Sequence, residues 1–224
     1  MFRMILVAGS LLAATSAHAQ NADEQNADEQ KDRFFIRGGP AFSTFDATAK
    51  IEVAGTPVSG GDASVKNNTG FAFEGGYFVR PNVAVALTIG IPPTARINGD
   101  GTLGPAGLLG TASYGPAALS LQYYAPTRGR FRPYVGAGYN YTLVYNVRGS
   151  SIRDLRVSNG NGPLVQAGAE YRVSRHFAFF ADIKKIWVAV NGSGFIDSGA
   201  GRVPATARLS LDPLIVNTGI SWHF

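Results

Sequence analysis

Alternation with a period of two runs along most of this chain, and the two faces it creates are unusual. From Asn82 to Gly90, Val83, Val85, Leu87 and Ile89 fall on one side, while Asn82, Ala84, Ala86, Thr88 and Gly90 fall on the other. Between Arg132 and Val144, Val135, Ala137, Tyr139, Tyr141 and Leu143 oppose Tyr134, Gly136, Gly138, Asn140 and Thr142. The end of the chain sets Val216, Thr218, Ile220, Trp222 and Phe224 against Asn217, Gly219, Ser221 and His223. Successive side chains of a strand point to opposite faces, so each stretch reads as a strand with one apolar and one small or polar face. A soluble sandwich buries its apolar face. Here the other face is mostly Gly, Ala, Ser, Thr and Asn, which cannot fill a dry core. The reverse arrangement works: the apolar face meets lipid and the small residues line a narrow barrel.

Eight such segments lie near 33–47, 66–80, 82–96, 112–125, 130–146, 161–174, 176–190 and 208–224. Their connections alternate in length. Residues 80–82, 126–129 and 174–175 make short turns, whereas 48–65, 97–111, 147–160 and 191–207 are long and rich in Gly, Ser, Asn and Pro, reading as flexible loops. Tight turns on one side and long loops on the other are the pattern of an all-β, eight-stranded antiparallel transmembrane β-barrel. An even strand number places both termini on the periplasmic side.

The composition agrees. Apolar residues are 45% and charged residues 16%, with 28 Gly, no Cys and a mean hydropathy of +0.03. Disordered chains, coiled coils and disulfide scaffolds are excluded. Arg3, an apolar run from Ile5 to Ala17 and Ala17-His18-Ala19 form an export signal over residues 1–19. Residues 20–32 repeat NADEQ in tandem and read as a disordered acidic periplasmic tail, leaving 33–224 as the barrel. Residues 34–224 hold ten acidic and 17 basic residues, a net +7. That charge suits the phosphate-rich leaflet of a Gram-negative outer membrane, with its lipid and lipopolysaccharide, better than nucleic acid, since the basic residues form no stripe.

Aromatic residues gather near the short turns: Phe34, Phe35, Tyr77, Phe78, Tyr123, Tyr124, Phe131, Tyr171, Phe177, Trp222 and Phe224. They read as one interfacial girdle. The ending Ile220-Ser221-Trp222-His223-Phe224 resembles the terminal-strand signature of bacterial outer-membrane proteins, which implies that Ile220, Trp222 and Phe224 are read by the barrel-assembly machinery.

Two longer stretches, RFRPYVGAGYNYT from Arg130 to Thr142 and LDPLIVNTGISWHF at the end, resemble the OmpW family of small outer-membrane barrels, as does FADIKKIWV from Phe180 to Val188. The resemblance spans nearly all of 33–224 and implies passage of small hydrophobic molecules, as in alkane-uptake relatives, with exit sideways through the wall. Loops are where members differ, so ligand identity is not carried over.

An eight-stranded barrel is barely wide enough for its own side chains. Arg37, Glu74, Arg132, Glu170, Arg172, Asp182 and Lys184 fall on the inner face and should pair as a plug, because an unpaired buried charge is costly. Such a network also serves simply to hold the barrel together. Pro92 and Pro93 end the third strand and cannot donate to a ladder. Beside Gly110, Ser113, Gly115 and Pro116 of the fourth strand they predict a gap in the wall, with Leu103, Leu108 and Leu109 lining an apolar entry. His176 and His223 are far apart and there is no Cys, so neither a metal site nor a catalytic constellation is expected, nor any cofactor. A structural or adhesive barrel whose loops bind partners is the alternative.

Overall fold

A computed structural model describes residues 33–91, 93–127, 129–198 and 201–224. The export signal, the repeated tail and Pro92 lie outside the described residues. The strands are β1 (Phe34–Thr44), β2 (Thr48–Val53), β3 (Thr56–Pro57), β4 (Gly61–Val65), β5 (Asn68–Arg80), β6 (Val83–Gly90), β7 (Thr94–Gly101), β8 (Leu108–Tyr124), β9 (Phe131–Gly149), β10 (Arg153–Val157), β11 (Gly160–Arg172), β12 (Phe177–Ile186), β13 (Ala189–Ser198), β14 (Gly201–Ser210) and β15 (Leu214–His223).

Eight of them close a ring, each antiparallel to the next: β1, β5, β6, β8, β9, β11, β12 and β15, with β15 returning to β1. Closure leaves no free edge in this part of the wall. Both described ends of the chain meet at the short-turn end, where Phe34 and Phe224 exchange backbone hydrogen bonds of 3.0 and 2.9 Å.

The faces are inverted as the alternation requires. Phe73, Leu87, Ile89, Leu119, Leu121, Val135, Tyr139, Phe179 and Ile220 are exposed outside, while Ser120, Gln122, Asn140, Gln166, Glu170 and Ser221 are buried inside. The girdle needs a correction. Phe34, Tyr123, Phe131, Tyr171, Phe177, Trp222 and Phe224 are exposed on the outer surface, but Phe35, Phe78 and Tyr124 point inward. They pack with Ala84, Ala86 and Tyr134 into an internal aromatic cluster. Adjacent aromatics such as Phe34-Phe35 cannot share a face of a strand.

The long connections are not flexible loops, which is a second correction. They continue as β2–β4, β7, the far ends of β8 and β9, β10, β13 and β14, paired into sheet above the ring. In β2, Ala49, Ile51 and Val53 alternate with Thr48, Lys50 and Glu52, and the apolar set faces inward here. Ile51, Ala63, Leu109, Val190 and Leu209 form an apolar cluster inside these extensions. Ala54 and Gly55, with φ of 53° and 74°, make the tight turn that pairs Val53 with Thr56. Both central residues have positive φ, as hairpins of this hand require.

Candidate functional site

The interior divides into a charged floor and an apolar space above it. Arg37 sits at the centre of the floor, fully buried. Its guanidinium lies 2.5 Å from Glu74, 3.5 Å from Glu170 and 3.7 Å from Asp182, contributed by β5, β11 and β12. Lys184, two residues beyond Asp182 on the same face of β12, binds that carboxylate and lies 3.3 Å from Glu74. Rings of Tyr134, Phe180 and Phe35 surround the guanidinium with centroids at 4.6, 5.1 and 5.3 Å. Gln122 donates to Glu74 at 2.7 Å, and Thr88 donates to its other oxygen at 2.6 Å.

Five of the seven charges read from the sequence are therefore brought together. Arg132 and Arg172 are not part of the ion-pair network among the described residues. Both are half-buried nearer the short turns, where Arg132 lies over the rings of Tyr124 and Phe78 at 5.0 and 5.4 Å. His223, Ser221, Gln122, Tyr124 and Tyr134 also belong to the floor, beyond the charges read from the sequence. His223 Nε2 is 3.2 Å from Glu170, and Ser221 donates to the same carboxylate at 3.2 Å. Their inward parity on β15 is the signal that places them there.

Above Lys184 lies a cavity of about 130 Å³ with almost wholly apolar walls. Ala41, Ala72, Ala95, Ile97, Ala112, Ile186, Val188 and Ile215 form much of it, while Asn140, Thr142, Lys184 and Asn217 supply polar groups toward the floor. A second cavity of about 120 Å³ lies farther into the extensions and shares Ile97, Val157, Val190 and Leu209 with the first. Leu103 and Leu109 line this upper cavity; Leu108, half-buried at the start of β8, is not among its lining residues.

Pairing in the wall is interrupted on both edges of the third strand near the prolines, between Ile89–Ala117 and Thr94–Ser113 on one side and between Gly90–Ala72 and Ile97–Val65 on the other. β8 pairs with β9 from Gly110 to Tyr124, and its contact with the third strand resumes beyond the prolines, where Thr94 to Asn98 pair with Ser113 to Leu108. The longer break lies between the second and third strands. Ala72 pairs with Gly90 and Val65 pairs with Ile97 in the same register, yet β7 pairs with β4 and β8 and not with β5. Ile91 donates to the Phe71 carbonyl at 2.8 Å, and the Pro93 carbonyl turns the other way to accept from Tyr114 at 3.2 Å. Pro93 has no N–H to offer β5. Gly70, Phe71, Ile91 and Pro93 line the lower cavity, and Phe71 and Ile91 are 53% and 52% exposed on the outer surface. Apolar side chains thus border both the cavity and the lipid-facing surface.

Ile220, Trp222 and Phe224 all face outward, with Trp222 against Phe177 at 4.5 Å and Phe224 against Phe34 at 6.1 Å between ring centroids.

An inside-out, closed, eight-stranded antiparallel barrel defines a small transmembrane barrel of the bacterial outer-membrane type. The OmpW family profile matches residues 30–224, and the chain belongs to that family. It is 35% identical over 180 residues to the dibenzothiophene metabolism operon protein PahQ of Pseudomonas aeruginosa, covering 80% of this chain and 83% of that one. To the outer membrane protein AlkL of Ectopseudomonas oleovorans it is 29% identical over 174 residues, 78% of this chain and 74% of the other. The crystal structure of OprG from Pseudomonas aeruginosa superposes with a TM-score of 0.81 at 24% identity, covering 86% and 96% of the two chains, which is a likeness of fold.

Proposed function

We propose that the protein carries small hydrophobic molecules across the outer membrane, taking them from the long-hairpin end into the apolar cavities and releasing them sideways through the wall. The observation that carries this reading is the break in pairing at Phe71, Ile91 and Pro93, where an apolar cavity reaches an apolar outer surface. The charged floor blocks onward movement along the axis, since an apolar solute passing it would strip buried ions of their partners. A cavity of about 130 Å³ compares with the roughly 150 Å³ that accommodates a benzene-sized guest. PahQ is named for a dibenzothiophene metabolism operon, and dibenzothiophene is an apolar aromatic of the chemistry this path admits.

In this reading the short turns and both termini are periplasmic, the extensions face outward toward lipopolysaccharide, and the outward face of β15 is what the assembly machinery reads. The test is uptake of a labelled apolar compound by cells carrying Pro92→Ala/Pro93→Ala protein at matched surface levels. Restored backbone donors allow the ladder to close, and uptake should fall at least fivefold. Unchanged uptake would refute release through this break.

A further inference from the structure

The lower cavity is apolar almost everywhere, yet two polar atoms at its floor have no partner among the described residues. Asn140 of β9 and Asn217 of β15 line it and are almost fully buried, at 1% and 3% exposure. The Oδ1 of each accepts no hydrogen bond. Asn140 commits its Nδ2 to Thr142 Oγ1 at 2.9 Å, so turning the carboxamide over exchanges the roles and still leaves one polar atom free. A buried polar group without a partner costs free energy, and a purely hydrocarbon guest does nothing to recover it.

The charge of a suitable guest is limited by what lies beneath. Lys184 also lines the cavity, but Asp182 and Glu74 already hold its ammonium. Among the described residues, the cluster sets three carboxylates, those of Glu74, Glu170 and Asp182, against Arg37 and Lys184, with the His223 imidazole already engaged by Glu170. A carboxylate on the guest would bring a fourth negative charge into a site with few partners for it. A hydroxyl both donates and accepts, so it donates to the free oxygen of one carboxamide and accepts from the amide nitrogen of the other once that group is turned over.

We infer that the lower cavity is a binding site for neutral amphiphiles, with one hydroxyl between Asn140 and Asn217 and the apolar body directed toward Phe71, Ile91 and Pro93. The inference rests on the cavity being a site for apolar ligands and adds the head group that the site selects.

The experiment places the full chain in lipid nanodiscs and titrates it separately with octane, 1-octanol and octanoate. Side-chain amides of Asn and methyl groups of Ala72, Ala95 and Ile97 are followed by NMR, with affinities referred to the concentration in the bilayer. 1-Octanol should bind about tenfold more tightly than octane, the factor that one net hydrogen bond of about 1.4 kcal/mol provides. The Asn140 and Asn217 amides should shift with the alcohol alone, and octanoate should bind no better than octane. In Asn140→Leu and Asn217→Leu the preference for the alcohol should fall below threefold, with octane binding retained. Equal binding of octane and 1-octanol with unmoved amides would overturn the head-group assignment while leaving the apolar site intact. Tightest binding by octanoate would overturn the neutrality. Failure of all three to shift the cavity methyls would overturn the reading of the cavity itself.

Discussion

Arg37→Met is the perturbation that most directly tests whether the charged floor is a paired network or a set of incidental neighbours. Methionine keeps much of the stem volume and removes the guanidinium. Among the described residues, the three carboxylates within 2.5 to 3.7 Å of that group would then be left with Lys184 beside Glu74 and Asp182 and with the His223 imidazole beside Glu170. The flanking rings of Tyr134, Phe180 and Phe35 would lose their cation as well. Removing one partner of a buried ion pair costs about 3–5 kcal/mol, because the other charge stays behind unpaired. The fitting control is Arg153→Met, whose ion pair with Asp197 at 3.1 Å joins groups that are 61% and 56% exposed. Exposed pairs are worth about 0–1 kcal/mol. Both proteins would be unfolded in denaturant from lipid vesicles. Fluorescence of Trp187 and Trp222, the two tryptophans of the chain, both outward-facing, would report loss of the lipid environment. Arg37→Met should lose at least 3 kcal/mol and Arg153→Met no more than about 1 kcal/mol. Adding Glu74→Gln to Arg37→Met should recover part of the loss by removing one surplus charge. A loss for Arg37→Met no larger than the control would refute the paired-floor argument.

Two further outcomes follow from close contacts. A Cβ added at Gly39 would lie 1.9 Å from the Thr218 carbonyl oxygen, a backbone atom that cannot swing aside, so Gly39→Ala must part β1 from β15. Gels run without heating should show a smaller folded fraction, and a folded fraction equal to the parent would contradict the contact. Inside the wall break, Asn68 of β5 donates to the Tyr114 hydroxyl of β8 at 2.8 Å, spanning the third strand where it fails to pair with β5. Tyr114→Phe should lower stability by no more than about 1.5 kcal/mol and raise uptake of an apolar compound about twofold or more. Unchanged uptake would mean that this bond does not restrain the opening.

What could be read in the sequence was whatever depends on parity. The inside-out faces, the strand number and the five charges Arg37, Glu74, Glu170, Asp182 and Lys184 follow from counting alternate residues along strands whose phase the apolar face sets. The misplacements have physical causes. Nearness to a turn groups Phe35, Phe78 and Tyr124 with the girdle, although parity puts Phe35 and Tyr124 opposite their exposed neighbours Phe34 and Tyr123. Stretches such as 48–65 and 191–207 read as loops because Gly and Ser are frequent in them. Their own alternation, Ala49, Ile51 and Val53 against Lys50 and Glu52, is that of strands with a water-facing exterior. The prolines point to the interruption beside the fourth strand but not to the longer one beside the second, because a proline shows that a donor is missing but not which neighbour misses it. Ladder register decides that, and register is a property of the assembled sheet.

Under the proposed lateral release, the change of polarity along the strands would explain why a break at this height suits an apolar ligand. Near the short turns the exterior is apolar and the interior is ionic. In the extensions the interior is apolar, with Ile51, Leu109 and Val190 inside and Lys50 and Arg208 outside. The two faces do not change at the same level. On β9, Val144 already lines the cavity while Leu143 and Tyr145 are still exposed outside; beyond β12, Val188 is buried inside next to outward Trp187. In that overlap the wall is apolar on both sides, and Phe71, Ile91 and Pro93 fall within it. A break placed lower would open lipid onto buried ions, and one placed higher would open the apolar interior onto water. Each of those costs free energy, through desolvated charge or hydrated hydrocarbon. Only in the overlap does an opening join apolar to apolar, and there the missing N–H of Pro93 removes the ladder bond that would otherwise close it.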